Sequence, residues 1–317
     1  MSIFRWDLQK KTQSLGTFPI QNRTWGALAL LEASANVRPA IVQAGELLIG
    51  ARWPELLQIA YAESGIAREG PQLLVANRQA DLDDAAISVS TNIRHARSYF
   101  EAVGRAPNTV KPTLLYYGCL TLAKAVSDAT FGRALKRMNH GLRMDKGNRI
   151  EVQSDGEFRR FHDSFCTSPA FYGPSGHDYQ MEQVVVSIPG VRTAATQVGA
   201  RWAPFLNELV IRPDGLGAEL ADGSGAKAWS YAPALELAAA FALSDWSRYD
   251  PIGWETTLRG DKSGDVYVYL TAIDRIEQDF PRWALSCLTG TKYTATSIHI
   301  QPDEPDEVGE GHVWIRG

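Results

Sequence analysis

The sequence predicts a mostly helical α+β protein, an antiparallel helical core broken by a small β-containing insertion. Three observations carry that expectation. Two separated regions, 81–140 and 231–290, have apolar residues recurring three and four apart, the period of a buried helix face. Between them, from 146 to 230, Gly, Ser, Asp and aromatic residues rise and the helical period stops. Short β-branched and aromatic runs there are bounded by turn signals, Pro189-Gly190, Pro213-Asp214-Gly215 and Asp222-Gly223.

Taken in chain order, residues 1–24 mix aromatic and polar positions without a period and read as an irregular arm. Trp25–Ala33, Val37–Leu48 and Pro54–Ser64 read as short helices separated by Asn36, Gly50 and Gly65. Asp81 or Asp83 is placed to cap a longer helix through Ala102, with Ile87, Val89, Ile93, Ala96, Tyr99 and Phe100 as its apolar stripe. Gly104–Asn108 turns the chain back. Thr109 can cap the next helix, and Pro112 falls in its first turn, where the missing N–H is no loss. Leu114, Leu115, Gly118, Leu122, Ala125, Val126 and Ala129 describe a buried helix about 27 Å long. Gly118 inside it costs about 1 kcal/mol relative to Ala, which close approach of a neighbouring helix would offset. Arg149–Gln153, Glu182–Ile188, Glu208–Arg212 and Lys227–Tyr231 are strand candidates. From Pro233, the residues Leu235, Ala238, Ala239, Leu243 and Trp246 form a buried face that ends near Tyr249-Asp250-Pro251. Helices over Val266–Glu277 and Pro281–Leu288 complete the region.

At 317 residues and 44% hydrophobic content the chain can fill a core, and it shows no internal repeat or separating linker. It therefore reads as one domain, 1–317. Its sub-regions are an N-terminal helical arm (1–80), a central helical hairpin (81–145), the β-containing insertion (146–230), C-terminal helices (231–290) and an acidic, solvated tail (291–317). Three dispersed cysteines argue against a disulfide framework and for a reducing cytoplasm. The N-terminus has no signal-peptide pattern. The most apolar run, Tyr231–Leu243, is too short for a bilayer, so no membrane is expected.

A net charge of −4 excludes a wholesale nucleic-acid coat but hides an asymmetry. Between Phe131 and Ile150 stand Arg133, Lys136, Arg137, Arg143, Lys146 and Arg149 against Asp145 alone, so the remaining chain carries −9. This cluster is the candidate anion or nucleic-acid contact. The blander reading is a solvated helix end, where the macrodipole favours cations and His140-Gly141 is a stop. His162 and Cys166, four apart, with His177 beyond, raise a metal or Cys/His site, but a fourth ligand is wanting. An aromatic cluster of Phe158, Phe161, Phe165, Phe171 and Tyr172 explains them better. No metal or cofactor is expected. Pro213-Asp214 with Glu219 opens a restriction-nuclease pattern that Ala221 breaks, and Gly223–Lys227 is no P-loop. Arg248, between Trp246 and Tyr249, reads as an arginine stacked on aromatics that ties helices together, with anion binding as the alternative.

Ser98-Tyr99-Phe100, Lys111-Pro112-Thr113-Leu114-Leu115-Tyr116-Tyr117-Gly118 with Leu122 and Lys124-Ala125, and then His140-Gly141-Leu142, resemble the bacterial YaaC-like family. Leu243-Ser244-Asp245-Trp246-Ser247-Arg248-Tyr249 and Trp254 resemble its second helical block, which extends the resemblance over residues 90 to 290. That family brings no firm biochemical role. A second resemblance is to HEPN domains, helical hairpins whose Arg and His, with four to six residues between them, form a metal-independent ribonuclease site. Arg133 and His140 have six residues between them, and Ala134 stands where a polar residue often follows the Arg. This resemblance implies His140 as proton shuttle, Arg133 as stabiliser of the attacked phosphate, a site composite across a homodimer, and a role in phage defence or a toxin system. The expectation is therefore a protein that binds RNA or another phosphate-rich partner, with metal-independent ribonuclease activity implied by the HEPN resemblance. The alternative is a non-catalytic module that binds a partner protein.

Overall fold

A computed structural model of the protein describes residues 20–39, 78–131, 134–135, 139–145, 148–153, 155–163, 177–211, 217–221, 225, 227–260 and 264–289. The fold is mostly helical α+β. Its elements are α1 (Ile20–Leu30), α2 (Arg78–Val103), α3 (Lys111–Phe131), β1 (Leu142–Met144), β2 (Arg149–Val152), α4 (Glu157–Asp163), β3 (His177–Gln180), α5 (Met181–Val186), α6 (Val191–Val198), α7 (Ala203–Glu208), β4 (Val210–Ile211), β5 (Gly217–Ala221), β6 (Lys227–Tyr231), α8 (Ala232–Tyr249), α9 (Pro251–Leu258) and α10 (Asp265–Thr289).

The hub is α3, which packs against α2, α8 and α10. Its apolar face buries Leu115, Tyr116, Cys119, Leu122, Ala125 and Val126. Gly118 is where α2 comes closest: a Cβ there would stand 2.7 Å from the Phe100 ring. Lys111 opens α3 at an end where the macrodipole disfavours a cation, and Glu277 (2.7 Å) and Asp274 (3.5 Å) of α10 compensate it. The N-terminal segment is tied to α2 by Arg38 with Asp83 (2.9 Å) and by Glu32 with Arg97 (3.1 Å). From Ala232 to Ser244 every residue of α8 is buried, so small alanines line both sides and bring the helices together. Glu236 lies within that stretch; burial first, then Asp279, pushes its carboxyl well above the ordinary range, with Arg275 opposing.

At one end, Trp202, Trp246 and Trp254 meet Tyr269 edge to face, with centroids 5.3–6.4 Å apart. Asp265 is buried beside them, accepts the Trp202 indole N–H at 2.8 Å and pairs with Arg201. The indole N–H of Trp254 donates to the Asn108 carbonyl at 3.0 Å, fixing α9 against the turn between α2 and α3.

Two three-stranded antiparallel sheets flank the helices, in the orders β1-β2-β3 and β4-β5-β6. Met144 pairs with Ile150, Arg149 with Gln180, and Glu219 with Trp229. The strands at Arg149–Val152 and Lys227–Tyr231 lie where the sequence predicts them. Five expectations need correction. Residues 20–24, expected as part of an irregular arm, open α1. Residues 182–188, expected as a strand, form α5, because all six residues of that helix are buried and a short apolar run does not reveal its own period. Of residues 208–212, Val210 and Ile211 are strand, Glu208 ends α7, and Arg212 lies outside the described residues. Helix α2 begins at Arg78, so Asp81 and Asp83 lie inside it rather than capping it. Residues 266–288, expected as two helices parted by Pro281, are one helix; Phe280, Pro281 and Trp283 are buried together, and that packing offsets the missing hydrogen bond. The helix expected over 54–64, most of that over 37–48, and the tail lie outside the described residues. Among the described residues no helix is long and apolar enough to cross a membrane.

Candidate anion-binding site

The loop from Asn139 to Gly141 is gripped by its backbone at every residue. The carbonyls of Asn139, His140 and Gly141 accept the N–H groups of Glu157 (2.9 Å), Phe158 (3.0 Å) and Gln153 (2.9 Å), and Asn139 Oδ1 accepts the Gly141 N–H at 3.0 Å. Gly141 has φ 75° and Gly156 has φ 123°. The two glycines touch, so that a Cβ on Gly156 would lie 2.5 Å from the Gly141 Cα. Only residues without side chains can cross this closely in left-handed geometry. His140 is thus an exposed side chain on a fixed backbone, the arrangement that positions functional groups.

Two cations from the helical core act on it. The imidazole rests edge-on against Tyr116 of α3, with centroids 5.7 Å apart. Partial burial, then Lys124 of α3, then Arg248 of α8 hold the His140 pKa below its ordinary 6.5, while Glu157 pulls the other way. Arg248 folds back along α8: its Nε donates to the Ser244 carbonyl at 3.2 Å, and its guanidinium lies 5.0 Å from the Tyr249 ring centre. Its ion pair with Asp245 is long, 3.9 Å. Burial pushes the Asp245 carboxyl up, with Arg248 opposing. Lys124 forms no ion pair among the described residues.

Of the residues singled out in the sequence, Arg133, Lys136, Arg137 and Lys146 lie outside the described residues. Arg143 is exposed on β1, and Arg149 on β2 is paired with Asp178 across the strands at 2.6 Å. Sequence reasoning misses the meeting of His140 with Lys124 and Arg248, because no spacing links position 140 to position 248. Arg248 does stack on an aromatic, as its neighbours suggest, yet its charge also reaches His140. His162 is fully buried in α4, where burial and Arg159 bring its pKa down to about 3. Cys166 and the side chain of His177 lie outside the described residues, and among those described no three His, Cys, Asp or Glu side chains are placed to hold a metal ion.

The electrostatics give a direct expectation. The His140 imidazole should titrate below 6.5 by NMR; Lys124→Gln should raise its pKa and Glu157→Gln should lower it. The unfolded chain then binds this proton more readily than the folded one, so the His140 contribution to stability is present above pH 6.5 and declines as pH falls through the depressed value. A pKa at or above the ordinary value, unmoved by either substitution, would separate His140 from these charges.

A family relationship covers this region. Residues 71–214 match the family model described as YaaC-like Protein. This stretch of the chain is similar to the YaaC-like family. The YaaC-like region holds α2 and α3 with Lys124, the His140 loop, and the elements from β1 to β4. It starts before the Ser98-Tyr99-Phe100 motif and stops short of α8, so Arg248 reaches the His140 loop from outside the matched segment. No curated protein and no solved structure matches the chain.

Proposed function

We propose that the protein binds RNA or another phosphate-bearing partner around His140, with Lys124 and Arg248 taking the phosphate charge and Arg143 extending the positive surface. The observation that carries this reading is the clamped loop, which presents an exposed histidine under the charge of Lys124 and Arg248, with Glu157 and Asp245 as the acids that face them. Displacing counterions from such groups is the main source of affinity for a phosphate backbone. The test is anisotropy of a labelled single-stranded RNA across a salt series. With Lys124→Gln and Arg248→Gln combined, the slope of log K against log salt should fall by about 1.4, two phosphate contacts at about 0.7 each. An unchanged slope removes the site.

Cleavage is a second reading, favoured by the lowered basicity of His140. An imidazole kept mostly neutral near pH 7 can take the ribose 2′-OH proton while Arg248 and Lys124 hold charge on the attacked phosphate. RNA cut in the presence of EDTA by the native chain, and not by folded His140→Ala, supports it; Arg133→Ala in the same assay tests the HEPN pair. Absence of cleavage by the native chain leaves the interaction module. A homodimer or partner protein and service in phage defence or a toxin system belong to this proposal on the sequence resemblance alone, and a cytoplasmic setting on the three dispersed cysteines.

A further inference from the structure

The sequence suggests that Arg248 ties helices together through its aromatic neighbours, and the structure divides those neighbours. Trp246 packs inward, edge to face with Trp254 and Tyr269 at 5.2 and 5.3 Å. Tyr249 faces out. It is 74% exposed and Ile252, in the first turn of α9, is 79% exposed; among the described residues no other large apolar side chain is as open to water. The Arg248 guanidinium still lies over the Tyr249 ring, so this stack joins no two helices. The chain on both sides of it is fixed. Arg248 Nε donates to the Ser244 carbonyl, the Asp250 N–H donates to the Trp246 carbonyl at 2.9 Å, and Asp250 Oδ1 accepts the Gly253 N–H at 3.0 Å. An exposed aromatic ring on an already ordered backbone binds a ligand with little ordering cost.

Ring contacts and the helix period place this platform relative to His140. The His140 ring lies against Tyr116 at 5.7 Å, and Tyr116 lies against Phe241 of α8 at 5.5 Å. Arg248 follows Phe241 by two helical turns, on the same face of α8 and about 10 Å further along its axis. A short single strand spans that interval. The charges around Tyr249 select what lies on the ring: Asp245 pairs with Arg248 at 3.9 Å and Asp250 follows Tyr249 directly, so a phosphate set on the ring would meet two acids. A flat, neutral group meets no such opposition. Unstacked RNA bases are groups of that kind, held on aromatic rings and guanidinium planes, and an arginine can stack by its face while its edge meets a phosphate. We infer that a base of single-stranded RNA stacks on the open side of Tyr249, backed by the Arg248 guanidinium. This rests on the RNA-binding reading above and adds to it a contact with the bases.

The test is binding of the full chain to a short single-stranded RNA that carries the fluorescent base 2-aminopurine, and to an abasic strand of the same length. The native protein is compared with Tyr249→Ala, Tyr249→Leu and Tyr249→Phe, circular dichroism verifying the fold of each. Tyr249→Ala should weaken binding of the RNA at least about fivefold, the stacking of one base, and should abolish the quenching of 2-aminopurine that the native protein causes. Its salt dependence should match the native protein's, since the ring carries no charge. Tyr249→Phe should bind as the native protein does, Tyr249→Leu as the alanine variant, and the abasic strand should not distinguish the four. Equal RNA affinity of the native and alanine proteins, or a leucine variant as tight as phenylalanine, overturns the inference and leaves the RNA reading standing. So does a self-association, seen by sedimentation, that Tyr249→Ala abolishes while RNA binding is kept, because a second copy is then the occupant. A native protein that binds neither strand overturns both.

Discussion

Gly156→Ala should destabilise the protein by about 3–5 kcal/mol, from a backbone conformation closed to alanine together with overpacking against a neighbouring chain segment. The backbone at φ 123° is outside the range alanine adopts, and the new methyl would meet the Gly141 Cα and nitrogen at 2.5 and 2.6 Å. Both obstacles are main chain, which cannot swing aside as a side-chain tip does. Moving Gly141 would also break the bonds that its own carbonyl and those of Asn139 and His140 accept, so the variant should lose the position of His140 with the stability. Urea unfolding measures the first effect and the His140 imidazole resonance the second. A variant as stable as the native chain, with an unmoved resonance, would show that the crossing does not hold the loop.

Asp265→Ala should cost about 2–4 kcal/mol, chiefly because a charged acceptor is removed from a buried donor. Asp265 is 2% exposed, and its loss leaves the Trp202 indole N–H without its 2.8 Å acceptor inside the aromatic layer. The pair with Arg201 adds less, since that arginine is half exposed and its charge returns to water. A carboxylate in the first turn of α10 adds about 0.3–1 kcal/mol through the helix dipole. Asp265→Asn keeps an acceptor for the indole and should recover about half of the loss, a difference that thermal unfolding resolves. Equal stability of the alanine and native proteins would mean the indole finds another partner.

The helices were legible where the apolar period ran long. Residues 111–131 and 232–249 carry several turns of one buried face, and their pattern alone places them to within two or three residues. The pattern also sets helical hairpin and β-containing insertion in the right order. It stops being informative where an element is both short and buried on all sides, because a six-residue apolar run such as 181–186 has no polar face to show its period. The candidate site was half legible. His140 stands out beside the basic residues that precede and follow it, whereas Arg248, read as an aromatic tie, joins it only because α8 packs along α3.

By itself the sequence determined the helical core, the position of the insertion and the charge asymmetry, since each depends on residues near one another along the chain. Only the tertiary structure decided that Pro281 lies within a continuous helix, that Gly141 and Gly156 cross, and that the charges of Lys124 and Arg248 act on His140. Those outcomes depend on which faces are buried against each other. The free energy of burial is a property of the packed contact, and neither partner carries it in its local sequence.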